Sequence, residues 1–484
     1  MTIARFACGR LLRRALPALL AAATVAILPA LPAHAAEAGI DGRDLSILWT
    51  LPFAGILLSI ALMPLFLAGF WHHHYGKVAA FWSLCVILPF IAIEGAGITV
   101  HTLLETALHE YIPFIILLFA LFTVAGGVRV TGNLHGSPSL NTALLLVGTV
   151  LASWMGTTGA SMLMIRPLLR ANDNRRHNVH VVIFFIFLVS NVGGALTPLG
   201  DPPLFLGFLK GVDFFWTTQA VFFPTLLVVV LLIAVFYGVD LYLYRKEGIT
   251  RADPTPDSPI RIEGGINLIL LGTVVLAVLL SGTWHPGTGV EIGGVHVETQ
   301  NLARDLLLLA IAGASLVLTR KATRAGNGFT WGPIVEVAKL FAGIFVTIIP
   351  AIAILRAGTD GALAPLVSLA SHPDGAPNNI MYFWLTGILS SFLDNAPTYL
   401  VFFNMAGGDA QHLMGPLSAT LMAISAGAVF MGANSYIGNA PNFMVKAIAE
   451  EQGVKMPSFF GYMAWSGAIL IPSFVIVTLL FFVL

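Results

Sequence analysis

The chain has 484 residues, of which 57% are hydrophobic and only 10% are charged. A soluble globular domain carries about a quarter charged residues, so this composition excludes an ordinary soluble protein and indicates a helical membrane protein with many spans. Lys and Arg balance Asp and Glu at 24 each, and net charge gives no sign of a nucleic-acid partner. The two cysteines, Cys8 and Cys85, predict neither a disulfide framework nor a metal site.

Residues 1–35 have the pattern of a secretory signal peptide. Basic residues precede the apolar run 16–28, and Ala33-His34-Ala35 matches a small-x-small cleavage site. We therefore expect removal of this segment, which would leave the mature N-terminus outside the cytoplasm. The alternative is one additional membrane helix, which the prolines of the segment disfavour.

Apolar segments in the rest of the chain predict two halves with the same order of elements: three spans, a hairpin, an interrupted span and a closing span. The segments of the first half are 46–70, 77–99, 109–128, 139–171, 179–209 and 218–243. Those of the second half are 264–282, 302–319, 332–355, 381–405, 414–450 and 458–484. The predicted domains are a first repeat over 36–244, a cytoplasmic linker over 245–263 and a second repeat over 264–484.

Two of these segments contain Gly, Pro, Asn and Asp where a straight membrane helix would be apolar. The first interruption spans 190–203 and the second spans 432–442. Proline removes backbone donors and glycine costs a helix about 1 kcal/mol, so both helices should break. Because lipid cannot satisfy the freed backbone groups, paired breaks in two halves indicate a midplane binding site of a secondary transporter. The alternative is a pair of kinked helices without a ligand.

The segments 139–171 and 381–405 carry small polar residues at their centres, and we interpret both as re-entrant hairpins that enter and leave by one face. With this interpretation most loop Lys and Arg fall on one face, which the positive-inside rule assigns to the cytoplasm. The two halves then have opposite orientations. The sequence therefore predicts an all-α polytopic membrane protein with two inverted-topology repeats, each with a re-entrant hairpin and a broken transmembrane helix.

The candidate ion-binding residues are polar side chains at the two breaks and the two hairpin tips. Their oxygens suit a hard cation, while their amide and hydroxyl donors suit a carboxylate, so the residue types leave the substrate open. The alternative is helix capping for the aspartates and satisfaction of broken backbone for the others. The candidates are Thr157, Thr158, Ser190, Asn191, Thr197, Asp201, Asp394, Asn395, Thr398, Asn434, Ser435 and Asn439. We expect sodium at Asp394, Asn191 and Asn434, and take the last two as equivalent positions.

The strings Ser190-Asn191-Val192-Gly193-Gly194, Thr197-Pro198-Leu199-Gly200-Asp201 and Leu393-Asp394-Asn395-Ala396-Pro397-Thr398 resemble the ion transporter superfamily. It includes sodium:proton antiporters of the NhaD type, arsenite permeases and citrate or dicarboxylate transporters. The resemblance implies the hairpin and broken-helix architecture over most of the mature chain. Three features depart from the antiporter branch. The first hairpin tip, 156–159, has no carboxylate, and Arg166 could add a positive charge near the site. Pro202-Pro203, which follow Asp201, resemble the arsenite-permease branch more than the antiporter branch.

Together these observations predict a bacterial inner-membrane carrier that works by alternating access and needs no cofactor beyond its transported ions. We expect sodium:proton antiport, with proton- or sodium-coupled transport of citrate, a dicarboxylate or arsenite as the alternative. An ion channel is a further class, which the paired hairpins disfavour, and no nucleotide-binding or hydrolytic motif indicates an enzyme. The expected partners are the lipid bilayer and a small inorganic ion or organic anion. The oligomeric state stays open, a homodimer included.

Overall fold

The structure, a computed structural model, describes residues 40–248 and 258–483, and these residues are mostly helical. The predicted signal peptide, 1–35, and part of the predicted linker lie outside the described residues. Within the described ranges, ten helical segments are long and apolar enough to cross a membrane. The protein is therefore a polytopic helical membrane protein, and this part of the predicted fold class is confirmed.

The helices divide between the two halves of the chain. Those of the first half are α1 (Leu51–Phe66), α2 (Ala68–Glu94), α3 (Ala96–Thr106), α4 (Ile112–Ala125), α5 (Pro138–Met155), α6 (Thr157–Ala171), α7 (Val179–Leu188), α8 (Pro202–Leu209) and α9 (Trp216–Glu247). Those of the second half are α10 (Ile266–Thr283), α11 (Thr299–Leu318), α12 (Lys321–Gly326), α13 (Gly332–Arg356), α14 (Ala364–Leu369), α15 (Asn379–Phe392), α16 (Asn395–Met405), α17 (Ala410–Met414), α18 (Ser418–Met431), α19 (Ala440–Glu451) and α20 (Phe459–Thr478). A π-helical turn at Ala107–Tyr111 joins α3 to α4.

Two short strand pairs, which the all-α prediction did not include, hold loops together. β1 (Arg129–Asn133) pairs antiparallel with β2 (Ser258–Glu263), so a loop of the first half is tied to the segment that precedes the second half. β3 (Gly289–Ile292) and β4 (Val295–Glu298) form a hairpin. Its turn is Gly293-Gly294, and both residues have a positive φ, as the favoured two-residue turn requires.

One predicted boundary is wrong, because residues 71–76 do not form a loop. α2 begins at Ala68 and runs through the three histidines at 72–74, so only Leu67 separates it from α1. Pro64, near the end of α1, removes a helix donor and weakens the helix there instead. Histidine and tyrosine have ordinary helix propensities, so a polar run of this length does not by itself end a helix.

The centre of the molecule consists of the short helices α7, α16 and α18, whose residues are almost all buried. The long helices α2, α9 and α20 are different, because protein buries only about a fifth to a third of the most apolar 18-residue stretch of each. An apolar helix surface that protein does not cover suits contact with lipid. The short central helices are therefore enclosed by longer helices that present one side outward.

Both predicted helix breaks are present, and a glycine pair lets the chain approach itself at each. α7 and α8 flank the first break, and α18 and α19 flank the second. A Cβ atom on Gly200 would lie 2.2 Å from the Gly194 carbonyl oxygen, and one on Gly438 would lie 2.5 Å from that of Gly432. Neither distance leaves room for a side chain, so glycine is required at this close backbone contact.

The two breaks make matching hydrogen bonds to the helix pairs beside them, α5–α6 and α15–α16. In each half a serine side chain donates to a backbone carbonyl of the break that lies 40 residues later in the chain. The backbone carbonyl of the same serine accepts from a hydroxyl group of the break that lies 44 residues later. The bonds are Ser153 to Gly193 and Thr197 to Ser153 in the first half, and Ser391 to Met431 and Ser435 to Ser391 in the second. This common register pairs Asp201 with Asn439 and Thr157 with Asn395.

The predicted equivalence of Asn191 and Asn434 is therefore wrong. In the common register Asn191 corresponds to Val429, and Asn434 corresponds to Leu196. The prediction matched the halves by an asparagine near each glycine pair. The backbone contact between the two glycines of each pair, and the serine bonds beside it, fix a different register.

We expect Gly200→Ala and Gly438→Ala to lower the melting temperature of the purified protein, because each added methyl group would push two backbone segments apart. Gly272→Ala is the matched control. No atom lies within 4 Å of its added Cβ, and alanine in a helix is about 0.5–1 kcal/mol more favourable than glycine. Thermal unfolding in detergent measures all three. Equal melting temperatures for Gly200→Ala and Gly272→Ala would contradict the close contact at the break.

Candidate functional site

Asp201 is the most connected polar side chain of the predicted site. It lies at the start of α8 and is only 1% exposed. Thr157 Oγ1 donates to its Oδ1 at 2.9 Å, Asn439 Nδ2 donates to the same oxygen at 3.1 Å, and Asn395 Nδ2 donates to Oδ2. One carboxylate thus joins the first break to both helix-pair tips and to the second break.

Neither predicted aspartate has a cationic partner among the described residues. The salt bridges of that part of the chain involve other carboxylates. An ionised carboxylate buried without hydrogen bonds or a counter-charge is very unfavourable. The three donors stabilise Asp201 by hydrogen bonding, and its charge stays available for a positive ion.

The capping alternative describes Asp394 but not Asp201. Asp394 is half-buried, and its Oδ1 accepts a hydrogen bond from the Ala396 amide at 3.0 Å at the start of α16. The hydroxyl of Thr398 donates to the Asp394 carbonyl at 2.9 Å in the same turn. Asp201 is likewise the residue just before a helix, α8, yet its side chain makes no capping hydrogen bond. Its carboxylate is directed instead at distant elements.

Three amide oxygens in this region are buried without a hydrogen-bond donor. They are the Oδ1 atoms of Asn191, Asn395 and Asn434. A buried acceptor left without a partner costs about 1–3 kcal/mol. Side-chain carbonyl oxygens are ligands for hard cations, so these atoms have the chemistry of a cation site.

The orientation of the Asn191 amide follows from its neighbours. Asn442 Nδ2 donates to the carbonyls of Gly432 and Ser435, both at 2.9 Å, so its Oδ1 is the acceptor that remains. Asn191 Nδ2 donates to that oxygen at 2.7 Å and to the Ile186 carbonyl at 2.8 Å. Both of its N–H groups are thereby used, and the unpaired atom has to be the oxygen.

Several other candidates form hydrogen bonds with backbone groups that the helix breaks leave free, as the alternative interpretation stated. Thr197 accepts from the Leu199 amide and Ser435 accepts from the Ile437 amide, both at 3.2 Å, in addition to the serine bonds already described. Asn434 Nδ2 donates to Ser391 Oγ at 2.9 Å. These contacts position the chain around Asp201.

The remaining candidates, Ser190 and Thr158, have different surroundings. Ser190 Oγ is hydrogen-bonded to Ser161 Oγ at 2.8 Å, inside the packed core. Thr158 lines a cavity that leads to Asp201 from the end of the molecule where α4 ends and α13 begins. The walls of this cavity are apolar side chains of α4, α13 and α19, and its polar lining is Thr157, Thr158 and Asp201. None of the described residues that line it is Lys or Arg.

Arg166, for which the sequence left open a position near the site, lies elsewhere. Its guanidinium is beside Gly328, where an added Cβ would come within 2.7 Å of it, and it does not line the cavity to Asp201. Arg166 belongs to the second half of α6, which runs away from the tip at Thr157. The position of the residue in the helix, rather than its presence in the hairpin, decides where its charge lies.

Four helices begin around Asp201: α6, α8, α16 and α19. A helix N-terminus carries a partial positive charge and first-turn amides that the helix itself cannot use. Prolines at the starts of α8 and α19 remove some of these donors. The α6 start has no such proline, and Thr158 and Gly159 of its first turn line the cavity. This helix end therefore offers backbone donors to an anion in the cavity.

The predicted site leaves out three residues of this network, namely Ser153, Ser391 and Asn442. The matched serines could have been found from the equal spacing to the two breaks. Asn442 is the last residue of the predicted second break, but it lies inside α19, and nothing local indicates its partner Asn191, which is 251 residues away.

Comparison with known proteins gives a family for almost the whole described chain. A family model described as "Putative citrate transport" matches residues 42–482. An uncharacterized transporter of Mycobacterium bovis is 24% identical over 365 residues, which is 70% of this chain and 78% of that protein. An uncharacterized transporter of Mycobacterium tuberculosis matches with the same identity and coverage.

We expect Asp201→Asn to lower the melting temperature and Asp394→Asn to leave it close to that of the unmodified protein. An amide at 201 would place an N–H group against the donors of Asn395 or Asn439, at a cost of about 1–3 kcal/mol. Asparagine at 394 keeps the capping oxygen, since Asn and Asp cap helices equally well. Thermal unfolding of both variants measures the difference. If Asp201→Asn melts like the unmodified protein, an ionised Asp201 that accepts from three donors is not the folded form.

Proposed function

Since the chain belongs to a citrate transporter-like ion transporter family, we propose that it is a secondary transporter of a citrate-class carboxylate coupled to a cation. The observation that carries this proposal is the buried Asp201, which receives three hydrogen bonds and no positive charge. A citrate-class substrate is itself negative, and Asp201 and Asp394 would repel it unless a cation bound with it. Coupling to a cation follows from these charges.

The site offers separate groups for the two ions. The cation would bind Asp201 and the unpaired oxygens of Asn395, Asn191 and Asn434, with Asp394 contributing its second charge. The carboxylate would bind at the start of α6, where the Thr158 hydroxyl and first-turn amides line the cavity. Broken helices in secondary transporters use this division, with helix N-termini toward the anion and unwound oxygens toward the cation.

We further propose that the halves are inverted repeats, with α5–α6 and α15–α16 as re-entrant hairpins. The support is the common hydrogen-bond register and the meeting of both tips at Asp201. The repeats would occupy 36–244 and 264–484, joined by a cytoplasmic linker over 245–263. The protein would act as a carrier rather than an enzyme, in a bacterial inner membrane and with its mature N-terminus outside.

Sodium:proton antiport is the second candidate, and the acidic, lysine- and arginine-free lining of the cavity favours it. A carboxylate that holds either a proton or a sodium ion can exchange them without any anion. Competition of this kind weakens the apparent affinity for sodium as pH falls, approaching about tenfold per pH unit below the carboxylate's own titration.

Flux measurements in proteoliposomes separate the two candidates. We expect labelled citrate to accumulate when sodium or proton gradients are imposed, and Asp201→Asn to abolish this accumulation. Asp374→Asn is the matched control, because it removes an exposed loop carboxylate. Sodium-driven proton efflux without movement of citrate would contradict the carboxylate proposal and establish the antiporter.

The same assay tests the carboxylate subsite. Thr158→Val should raise the KM for citrate by about fivefold, the effect of losing one hydrogen bond of about 1 kcal/mol. Thr273→Val is its control, because Thr273 bonds only within α10. An unchanged KM for Thr158→Val would place the carboxylate elsewhere.

Reporter fusions test the proposed orientation. Fusions after Arg176 and after Lys246 should report a cytoplasmic position, and fusions after Lys210 and after Gly408 should report an external one. The Lys and Arg of the loops are the physical reason for this orientation. An external signal after Arg176 would mean that α5 and α6 together cross the bilayer, and the inverted repeat would be excluded.

A further inference from the structure

A groove on the outer surface lies between α7 and α9 of the first half and α20 of the second, and it has a volume of about 560 Å³. It is separate from the cavity that leads to Asp201 and shares no lining residue with it. Its lining combines an apolar floor with a small number of basic and aromatic side chains. Those that matter for its chemistry are Arg176, His177, His180, Gly238, Tyr242 and Trp465.

The groove lies on a surface that suits contact with lipid. α9 and α20 are long apolar helices, and protein buries only 33% of the most apolar 18-residue stretch of each. Gly238 makes a notch in α9, since no atom lies within 4 Å of the position its Cβ would take. The space beside Gly238 is therefore open and bordered by apolar side chains, as an acyl chain requires.

The mouth of the groove carries exposed positive charge. Arg176 lies at one side, and Arg245 and Lys246 lie in the last turn of α9 at the other. Lys246 Nζ is 5.9 Å from the centre of the Tyr242 ring, which holds the ammonium group beside the groove. Tyr242 is 65% exposed, an arrangement typical of an aromatic residue at a membrane interface.

The carboxylates nearby offset only part of this charge, and they are turned inward. Asp240 and Glu247 both pair with the buried Arg175, at 2.8 Å and 3.2 Å. His180 on the groove floor is hydrogen-bonded to Asp240 at 2.9 Å. Glu247 also accepts a hydrogen bond from the His177 amide at 2.8 Å, so both carboxylates are engaged inside the protein, and no Asp or Glu lines the groove.

We propose that this groove binds an anionic phospholipid. Its acyl chain lies beside Gly238, its phosphate contacts Arg176 and Lys246, and Tyr242 and Trp465 flank its glycerol region. Basic pockets between transmembrane helices recognise anionic headgroups through the same combination of charge and apolar contact. The lipid also touches α7, the helix that leads into the first break, so it is placed where it can stabilise the core of the carrier.

The test is native mass spectrometry of the full-length protein, purified in detergent and titrated with phosphatidylglycerol or phosphatidylcholine. We expect tighter binding of phosphatidylglycerol, and a roughly 30-fold loss in the double variant Arg176→Gln/Lys246→Gln, about fivefold for each charge. The control Arg320→Gln/Lys321→Gln removes two exposed cations from another loop and should bind like the unmodified protein. Gly238→Leu fills the notch while keeping the charges, and should weaken binding of both lipids.

Three results would overturn the proposal. The first is unchanged phosphatidylglycerol binding in the double variant when its melting temperature is that of the unmodified protein. The second is an equal loss in the Arg320→Gln/Lys321→Gln control, which would mean unspecific attraction to surface charge. The third is a dimer mass that Gly238→Leu abolishes without affecting lipid binding, because a second copy of the chain would then occupy the groove.

Discussion

The burial of the Asp201 carboxylate constrains the whole centre of the molecule. A charge removed from water needs several hydrogen bonds or a counter-ion, and Asp201 has donors from elements as far as 238 residues away in the chain. Neither helix-pair tip can leave the first break without giving up one of these bonds. The close glycine contact at Gly194 and Gly200 brings the carboxylate within reach of Thr157. Backbone packing and electrostatics therefore specify the same arrangement.

The two halves share a register but not their charges, and this difference makes the site possible. Asp201 of the first break corresponds to Asn439 of the second, which donates to it. A second aspartate at 439 would place two carboxylates against each other and disfavour ionisation of both. The second carboxylate, Asp394, lies at the tip of the α15–α16 pair, and the common register matches it to Gly156 at the tip of the α5–α6 pair. The difference in sequence between the halves thus separates the acidic groups and places a hydrogen-bond donor, Asn439, at the position that corresponds to Asp201.

The sequence predicts the elements of this fold better than their pairing. Gly and Pro inside apolar runs indicate the breaks correctly, because their backbone effects are local. The sequence offers both Asp201 and Asp394 as ion-binding residues or helix caps, and the choice for Asp201 depends on distant partners. The structure shows that Asp394 caps α16, whereas Asp201 accepts from Thr157, Asn395 and Asn439. The Asn191–Asn442 bond joins residues of different halves and has no local signature. The position of Arg166 likewise depends on how far α6 extends from its tip.

If the protein carries a cation together with a carboxylate, as we propose, the charges around the cavity bear on which ion arrives first. The walls are apolar and the deepest polar groups include Asp201, so an anion entering an empty site would leave water for a region of negative potential. A cation entering first would meet Asp201, and its charge would then offset the repulsion that the anion would experience. The donors at the start of α6 can hold a carboxylate only after that neutralisation. An ordered sequence, with the cation before the carboxylate, follows from the site's charge without any further conformational assumption.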